Sequence, residues 1–158
     1  MSEHKAMISW KRTSPDFLKG KYSREHTWSF DGGLTVPASA APAVVPAPYS
    51  NPAHVDPEEA FVAAVSSCHM LTFLYLASRR GFQVDSYKDE AIGAMAKNEK
   101  GTPWVSLIKL NPIIAYGGEK MPAPEDERRL HHLAHEQCYI SNSIKTEVLF
   151  GEAKKEAA

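Results

Sequence analysis

Asp56-Pro57-Glu58-Glu59-Ala60-Phe61-Val62-Ala63-Ala64-Val65-Ser66-Ser67-Cys68 decides how this chain folds. Asp56 is a helix cap, Pro57 suits the first helical position, and Glu59 completes a capping box. Both glutamates favour the positive end of the helix dipole. From residue 60 to residue 78 no Asp, Glu, Lys or Arg interrupts the run. That length approaches a membrane span. Ser66, Ser67, Cys68, His69 and Thr72 at its centre are costly in lipid, so the segment reads as a helix buried on all sides in a soluble core, ending near Arg80 and Gly81. At helical spacing Cys68 falls in line with Phe61, Val65 and Thr72, facing the packed interior or an interface.

Outward from that helix, residues 4 to 12 read as a first strand, with a turn at Pro15-Asp16 and Gly20. Residues 22 to 30 alternate with period two, placing Tyr22, Arg24, His26, Trp28 and Phe30 on one face. Asp31-Gly32-Gly33 predicts a hairpin turn into Leu34-Thr35-Val36. Six prolines from Pro37 through Pro57 rule out regular helix or central strand. A loop that long is either functional or wraps a partner subunit. Past the helix, 82 to 97 and 103 to 116 read as two strands, with Pro112 marking an edge or bulge. A second helix is expected over 124 to 140 and a last strand over 146 to 150, followed by a charged tail, 151 to 158, that frays. Strands first, then helices flanked by further strands, give an α+β class with antiparallel pairing. The 158 residues suit one domain, large enough for a core without disulfide staples.

A formal charge of -1 argues against nucleic acid or anionic membrane as the main partner. The N-terminus lacks an apolar signal region, and a soluble cytoplasmic protein is expected. In a reducing compartment a cysteine is ordinarily a small buried hydrophobe, yet Cys68 and Cys138 sit on different predicted helices, each beside polar and basic groups. Cys68 lies too deep in its helix for the dipole to help, so reactivity requires a cation. Arg24 is the candidate, on a face that otherwise carries Trp28 and Phe30. There a guanidinium needs a carboxylate or thiolate partner, or must reach water. His26 is the next cation on that face. Glu58 either serves the helix start or orients such an arginine. Ten residues of helix separate Glu58 from Cys68, about 15 Å of rise. Two antiparallel helices across a two-fold axis would instead bring Glu58 of one subunit near Cys68 of the other, which predicts a homodimer with composite sites. A competing chemistry is zinc, held by His131, His135 and Cys138 with Cys68 or His69 as a fourth ligand.

The 56–68 segment resembles the Asn-Pro-Glu motif of the OsmC/Ohr family, the osmotically inducible and organic hydroperoxide resistance proteins. There a peroxidatic cysteine follows ten residues after the Glu. Ala134-His135-Glu136-Gln137-Cys138, followed by Ser141-Asn142, is similar to that family's resolving-cysteine segment. The resemblance extends over roughly residues 4 to 150. It implies antiparallel sheets wrapped around two central helices in an intertwined homodimer. It also implies a thiol peroxidase acting on organic hydroperoxides. Cys68 would become a sulfenic acid and Cys138 would resolve it as an intramolecular disulfide, reopened by an external dithiol, with no cofactor and no metal. Glu58 matches the motif glutamate, and Arg24 is the arginine carried over as thiolate support. Tyr139 stands where Ohr-type members often have Pro, and His69 where an aromatic residue is common, which marks a subgroup. Phe61, Val65, Phe73 and Tyr49 are the expected apolar surroundings, favouring organic over hydrogen peroxide. The alternative reading is a non-enzymatic module of the same fold that senses redox state or binds a small molecule.

Overall fold

The computed structural model describes residues 2–151. The expected frayed tail lies, from residue 152, outside the described residues. The chain divides into two compact units, Met1–Ala60 and Phe61–Ala158.

The first unit holds one antiparallel sheet of β1 (Ala6–Ser9), β2 (His26–Phe30) and β3 (Thr35–Ala38), in the order β1-β2-β3. The hairpin falls where the sequence places it. Phe30 N–H donates to Leu34 O at 2.9 Å, and Gly33 takes φ 87°, which a side chain would oppose. The strand expected over 22 to 30 is shorter, because Arg24 N–H donates to Tyr49 O outside the sheet. Alternation survives within it: Trp28 Nε1–H donates to His26 Nε2 on the shared face at 2.9 Å. Pro37 belongs to β3, opposite Thr27, on an edge strand where its missing N–H costs nothing. The Pro-rich loop is pinned to its own unit by Asn51 N–H to Ser39 Oγ, Asn51 Nδ2 to Glu25 Oε1, and Ser39 N–H to Val55 O.

The long helix α1 (Pro57–Arg79) starts as its sequence dictates. Glu59 N–H donates to Asp56 Oδ1 at 2.7 Å and Asp56 N–H to Glu59 Oε2 at 3.2 Å, a complete capping box. Within the second unit α1 buries a stripe of Val65, His69, Phe73, Leu76 and Ala77. Contrary to expectation the helix is not covered on all sides. Leu71 and Tyr75 are each 61% exposed, on a face they share with Ala64 and Ser67. By length and composition α1 could cross a membrane, and one stripe of it is buried within the second unit.

The two strands expected after α1 are four: β4 (Gln83–Asp89), β5 (Ile92–Lys97), β6 (Pro103–Leu110) and β7 (Pro112–Gly117). β4 pairs with β7, and β5 with β6, in separate sheets. The switch has a local cause. Pro112 has no N–H for a ladder, and the Asn111 N–H leaves the sheet to donate to Asp89 Oδ1 at 2.6 Å. Ser66 of α1 donates to the other carboxylate oxygen of Asp89, fixing the corner to the helix. Gly93 on β5 lies so close to α1 that a Cβ there would stand 2.5 Å from Val62 Cγ2. The second helix, α2 (Pro124–Gln137), is followed by β8 (Glu147–Phe150). β8 pairs parallel to β6, not antiparallel, because the connection between them passes through a helix. Phe73, Leu76, Phe82, Ile114 and Leu130 form one apolar cluster, and Val65, Ile108, Leu110 and Val148 a second.

Candidate active site

In the second unit the two cysteines meet. Cys68 is half-buried on the shoulder of the α1 stripe, and Cys138 is fully buried. Both are free thiols, and the Cys138 side chain lies near enough to act on the Cys68 thiol. Cys138 reaches this position because α2 stops short of the expected residue 140. Its ψ of 116° leaves the helix, and its N–H donates to His135 O at 3.3 Å. A short 3-10 turn, Ser141–Ser143, follows. The Ser141 N–H donates to Cys138 Sγ at 3.4 Å, and Asn142 Nδ2–H donates to Cys138 O at 2.9 Å. The segment after α2 is therefore wrapped around the buried sulfur.

The Cys68 thiol is pushed above its ordinary pKa, first by burial and then by its contact with Cys138. The main-chain N–H groups of Ile140 and Tyr139 oppose this, favouring the anionic sulfur. Those two donors were invisible in the sequence, since any residue carries an amide; only the turn after α2 aims them. An open groove of about 690 Å³ runs beside the pair, lined by Leu71, Thr72, Tyr75, Glu136, Gln137 and Tyr139. Thr72 Oγ1–H donates to Cys68 O at 3.0 Å, which ties the groove wall to the cysteine turn. Val65 and Phe73, expected among the apolar surroundings of the reacting sulfur, are fully buried in the two apolar clusters.

Arg24 and Glu58 belong to the first unit. Arg24 precedes β2 and lies with its Cζ 3.7 Å from the Tyr22 ring centroid. Its Nη1 donates to the carbonyls of Gly20 and Tyr22. Among the described residues it makes no ion pair. Trp28 is a donor only, so His26 Nε2 accepts, and Nδ1 carries the proton toward Arg24 O at 2.7 Å. Glu58 is half-buried and, among the described residues, has no hydrogen bond or ion pair; Asp56 and Glu59 do the capping.

The zinc arrangement is not assembled. Among the described residues no group of three or more His, Cys, Asp or Glu side chains is disposed to hold a metal ion. His131 turns into the core and meets His69, Nδ1 to Nε2 at 3.0 Å, both rings buried. The zinc reading grouped His131, His135 and Cys138 with Cys68 or His69; of these the two helices bring His69 and His131 into direct ring contact.

The residues from 50 to 151 match the family model described as OsmC-like protein. The chain belongs to the OsmC-like family. An OsmC-like protein of unknown function from Vibrio cholerae is 51% identical, over 96% of this chain and 99% of that one, with a TM-score of 0.93. An organic hydroperoxide resistance protein from Elizabethkingia anophelis shares the fold at 16% identity and a TM-score of 0.70, over 100% of this chain and 98% of that one. The organic hydroperoxide resistance protein OhrB of Bacillus subtilis does so at 18% identity and 0.65, over 98% of each chain. No protein of curated function matches the chain. The α+β architecture expected of an OsmC-like chain is thus established, with the parallel β6–β8 pair as its departure from purely antiparallel sheets.

Proposed function

We propose that this OsmC-like protein is a thiol-dependent peroxidase that reduces organic hydroperoxides. The observation that supports it is the contact between the Cys68 and Cys138 side chains, with the amides of Tyr139 and Ile140 directed at the Cys68 sulfur. In the reaction the Cys68 thiolate attacks the distal oxygen of ROOH. The O–O bond breaks, the alkoxide leaves and takes a proton as ROH, and sulfur is oxidised to sulfenic acid. The Cys138 sulfur then displaces hydroxide from Cys68, releasing water and closing the disulfide; an external dithiol restores both thiols. Without a cation the upward-shifted Cys68 thiol is a slow nucleophile. Arg24 is the residue assigned to supply that charge and stabilise the developing alkoxide, and Glu58, unused by the helix cap, to orient it. The assembly proposed is a homodimer with composite sites, soluble and cytoplasmic, requiring neither metal nor cofactor. The groove wall of Leu71, Tyr75 and Tyr139 favours an apolar R group over hydrogen peroxide.

The upward displacement of Cys68 favours a second reading, a redox-sensing or small-molecule-binding module without turnover. Intact mass and free-thiol count after one equivalent of cumene hydroperoxide separate them. The peroxidase loses both thiols and two hydrogens, reversibly with dithiothreitol and not in Cys68→Ser. Two intact thiols under native conditions would favour the module.

A further inference from the structure

Every main-chain N–H in the turn after α2 has a destination. The Cys138 N–H goes to His135 O, the Ser141 N–H to Cys138 Sγ at 3.4 Å, the Asn142 N–H to Cys138 O at 3.1 Å and the Ser143 N–H to Ile140 O at 2.9 Å. Between them, the N–H groups of Tyr139 and Ile140 have no main-chain acceptor among the described residues, and both act on the Cys68 sulfur.

Two side chains hold these amides in that direction. The peptide units concerned are trans and planar, so the N–H and C=O of each point opposite ways. The Cys138 C=O shares a unit with the Tyr139 N–H, and it accepts from Asn142 Nδ2–H at 2.9 Å as well as from the Asn142 main chain. The same Nδ2 donates to Glu136 O at 2.9 Å, which ties that unit to the last turn of α2. The Tyr139 C=O shares a unit with the Ile140 N–H, and it accepts from Ser143 Oγ–H at 2.8 Å. Asn142 and Ser143 are both exposed, so what they hold is the turn rather than the core. An anionic sulfur gains from each N–H aimed at it, and a peptide held from behind needs no reorientation when the charge appears.

We propose that Asn142 and Ser143 are positioning residues of the Cys68 site, aiming the amides of Tyr139 and Ile140 so that these two N–H groups hold negative charge on the Cys68 sulfur. The role in turnover rests on the peroxidase reading; the hold on the thiolate is measured without peroxide. In the full-length reduced protein the Cys68 thiol is titrated through the pH dependence of its alkylation by iodoacetamide, the modified residue being identified by peptide mass. Tyr139→Pro deletes one N–H, and the Cys138 backbone, at φ −70° and ψ 116°, already lies where a residue before proline lies. The expected result is a midpoint raised by about one pKa unit, about a tenfold loss of thiolate at neutral pH. Tyr139→Ala, which keeps the N–H and trims an 85% exposed ring, leaves the midpoint in place. Asn142→Ala and Ser143→Ala raise it, Ser143→Thr does not, and Asn142→Ala adds nothing in the Tyr139→Pro background, because both act through one amide. A purely structural role would lower the melting temperature of these variants with the midpoint unmoved. Midpoints unmoved in Asn142→Ala and Ser143→Ala, or moved equally by Tyr139→Ala and Tyr139→Pro, overturn the proposal. If Tyr139→Pro does not fold, the surface variants at Asn142 and Ser143 decide. Thiol loss with cumene hydroperoxide is scored apart, so the peroxidase reading can fail with the titration shifts intact, and the reverse.

Discussion

His69 Nε2 and His131 Nδ1 lie 3.0 Å apart, with the two imidazoles within 8° of parallel. One proton serves the contact, and the other ring nitrogens, His69 Nδ1 and His131 Nε2, are buried without hydrogen-bond partners among the described residues. Phe73 stacks on His131 at 4.4 Å, and Phe150 lies 4.7 Å from His69, so no water-like environment is at hand for a cation. Burial drives both pKa values down, His69 to about 3, with His131 and His135 adding repulsion, and His131 to about 4. The pair joins α1 beside Cys68 to α2 two turns before Cys138.

Acid should therefore unfold the protein through this pair. Between the ordinary histidine pKa near ~6.5 and the depressed folded values, the unfolded chain binds more protons than the folded one. Stability is then full above about pH 6.5 and falls as pH drops toward 4. The His131 displacement alone is worth on the order of 3 kcal/mol at about 1.4 kcal/mol per pKa unit. Urea unfolding from pH 4 to 7.5 should show this loss, and His131→Phe should flatten the slope in that window. A slope unchanged in His131→Phe would assign the acid sensitivity elsewhere.

The cysteines should have separable roles. Cys138→Ser is expected to leave a dimedone-reactive sulfenic acid on Cys68 after cumene hydroperoxide, and excess peroxide to drive it on to sulfinic acid. Cys68→Ser should give no adduct at all. An adduct on Cys138 in that variant would reverse the assignment.

Asp56 and Glu58 are two residues apart and should behave oppositely. Asp56→Ala removes the side chain that accepts the Glu59 N–H, costing about 1 kcal/mol of stability. Glu58→Gln breaks no hydrogen bond and should leave the unfolding midpoint unchanged, while slowing peroxide reduction if it orients Arg24. Thermal melts alongside single-turnover rates check both; a destabilised Glu58→Gln with normal rates would return Glu58 to a purely helical role.

The exposed α1 face should be the weak point of a dimer. A charge at Leu71, 61% exposed in the single chain, should disrupt packing between copies. Light scattering on the eluting protein is expected to give twice the 17.5 kDa chain mass for the wild type and the single mass for Leu71→Glu. A monomeric wild type would remove the basis for composite sites.

The start of α1 was legible in the sequence because a capping box is a contract among residues three apart. The hairpin at Asp31-Gly32-Gly33 was legible for the same reason, since φ at Gly33 is chosen locally. Cys68 and Cys138 were legible as a candidate pair, and the helices that carry or precede them as helices, but not their surroundings. The amides of Tyr139 and Ile140 face Cys68 only because α2 ends at Gln137 and the chain turns back. Where a strand changes sheets was equally hidden, because it depends on Asn111 meeting Asp89 across 22 residues of sequence. The same holds for β8, whose parallel partner is set by a helical crossover, and for His69 with His131, 62 residues apart. The sequence by itself determined the caps, turns and apolar spacing, whose energies are settled within a few residues of chain. Tertiary structure alone decided which distant groups share a dry environment, and it is this that set the sulfur contact, the imidazole pair and the pKa values of both.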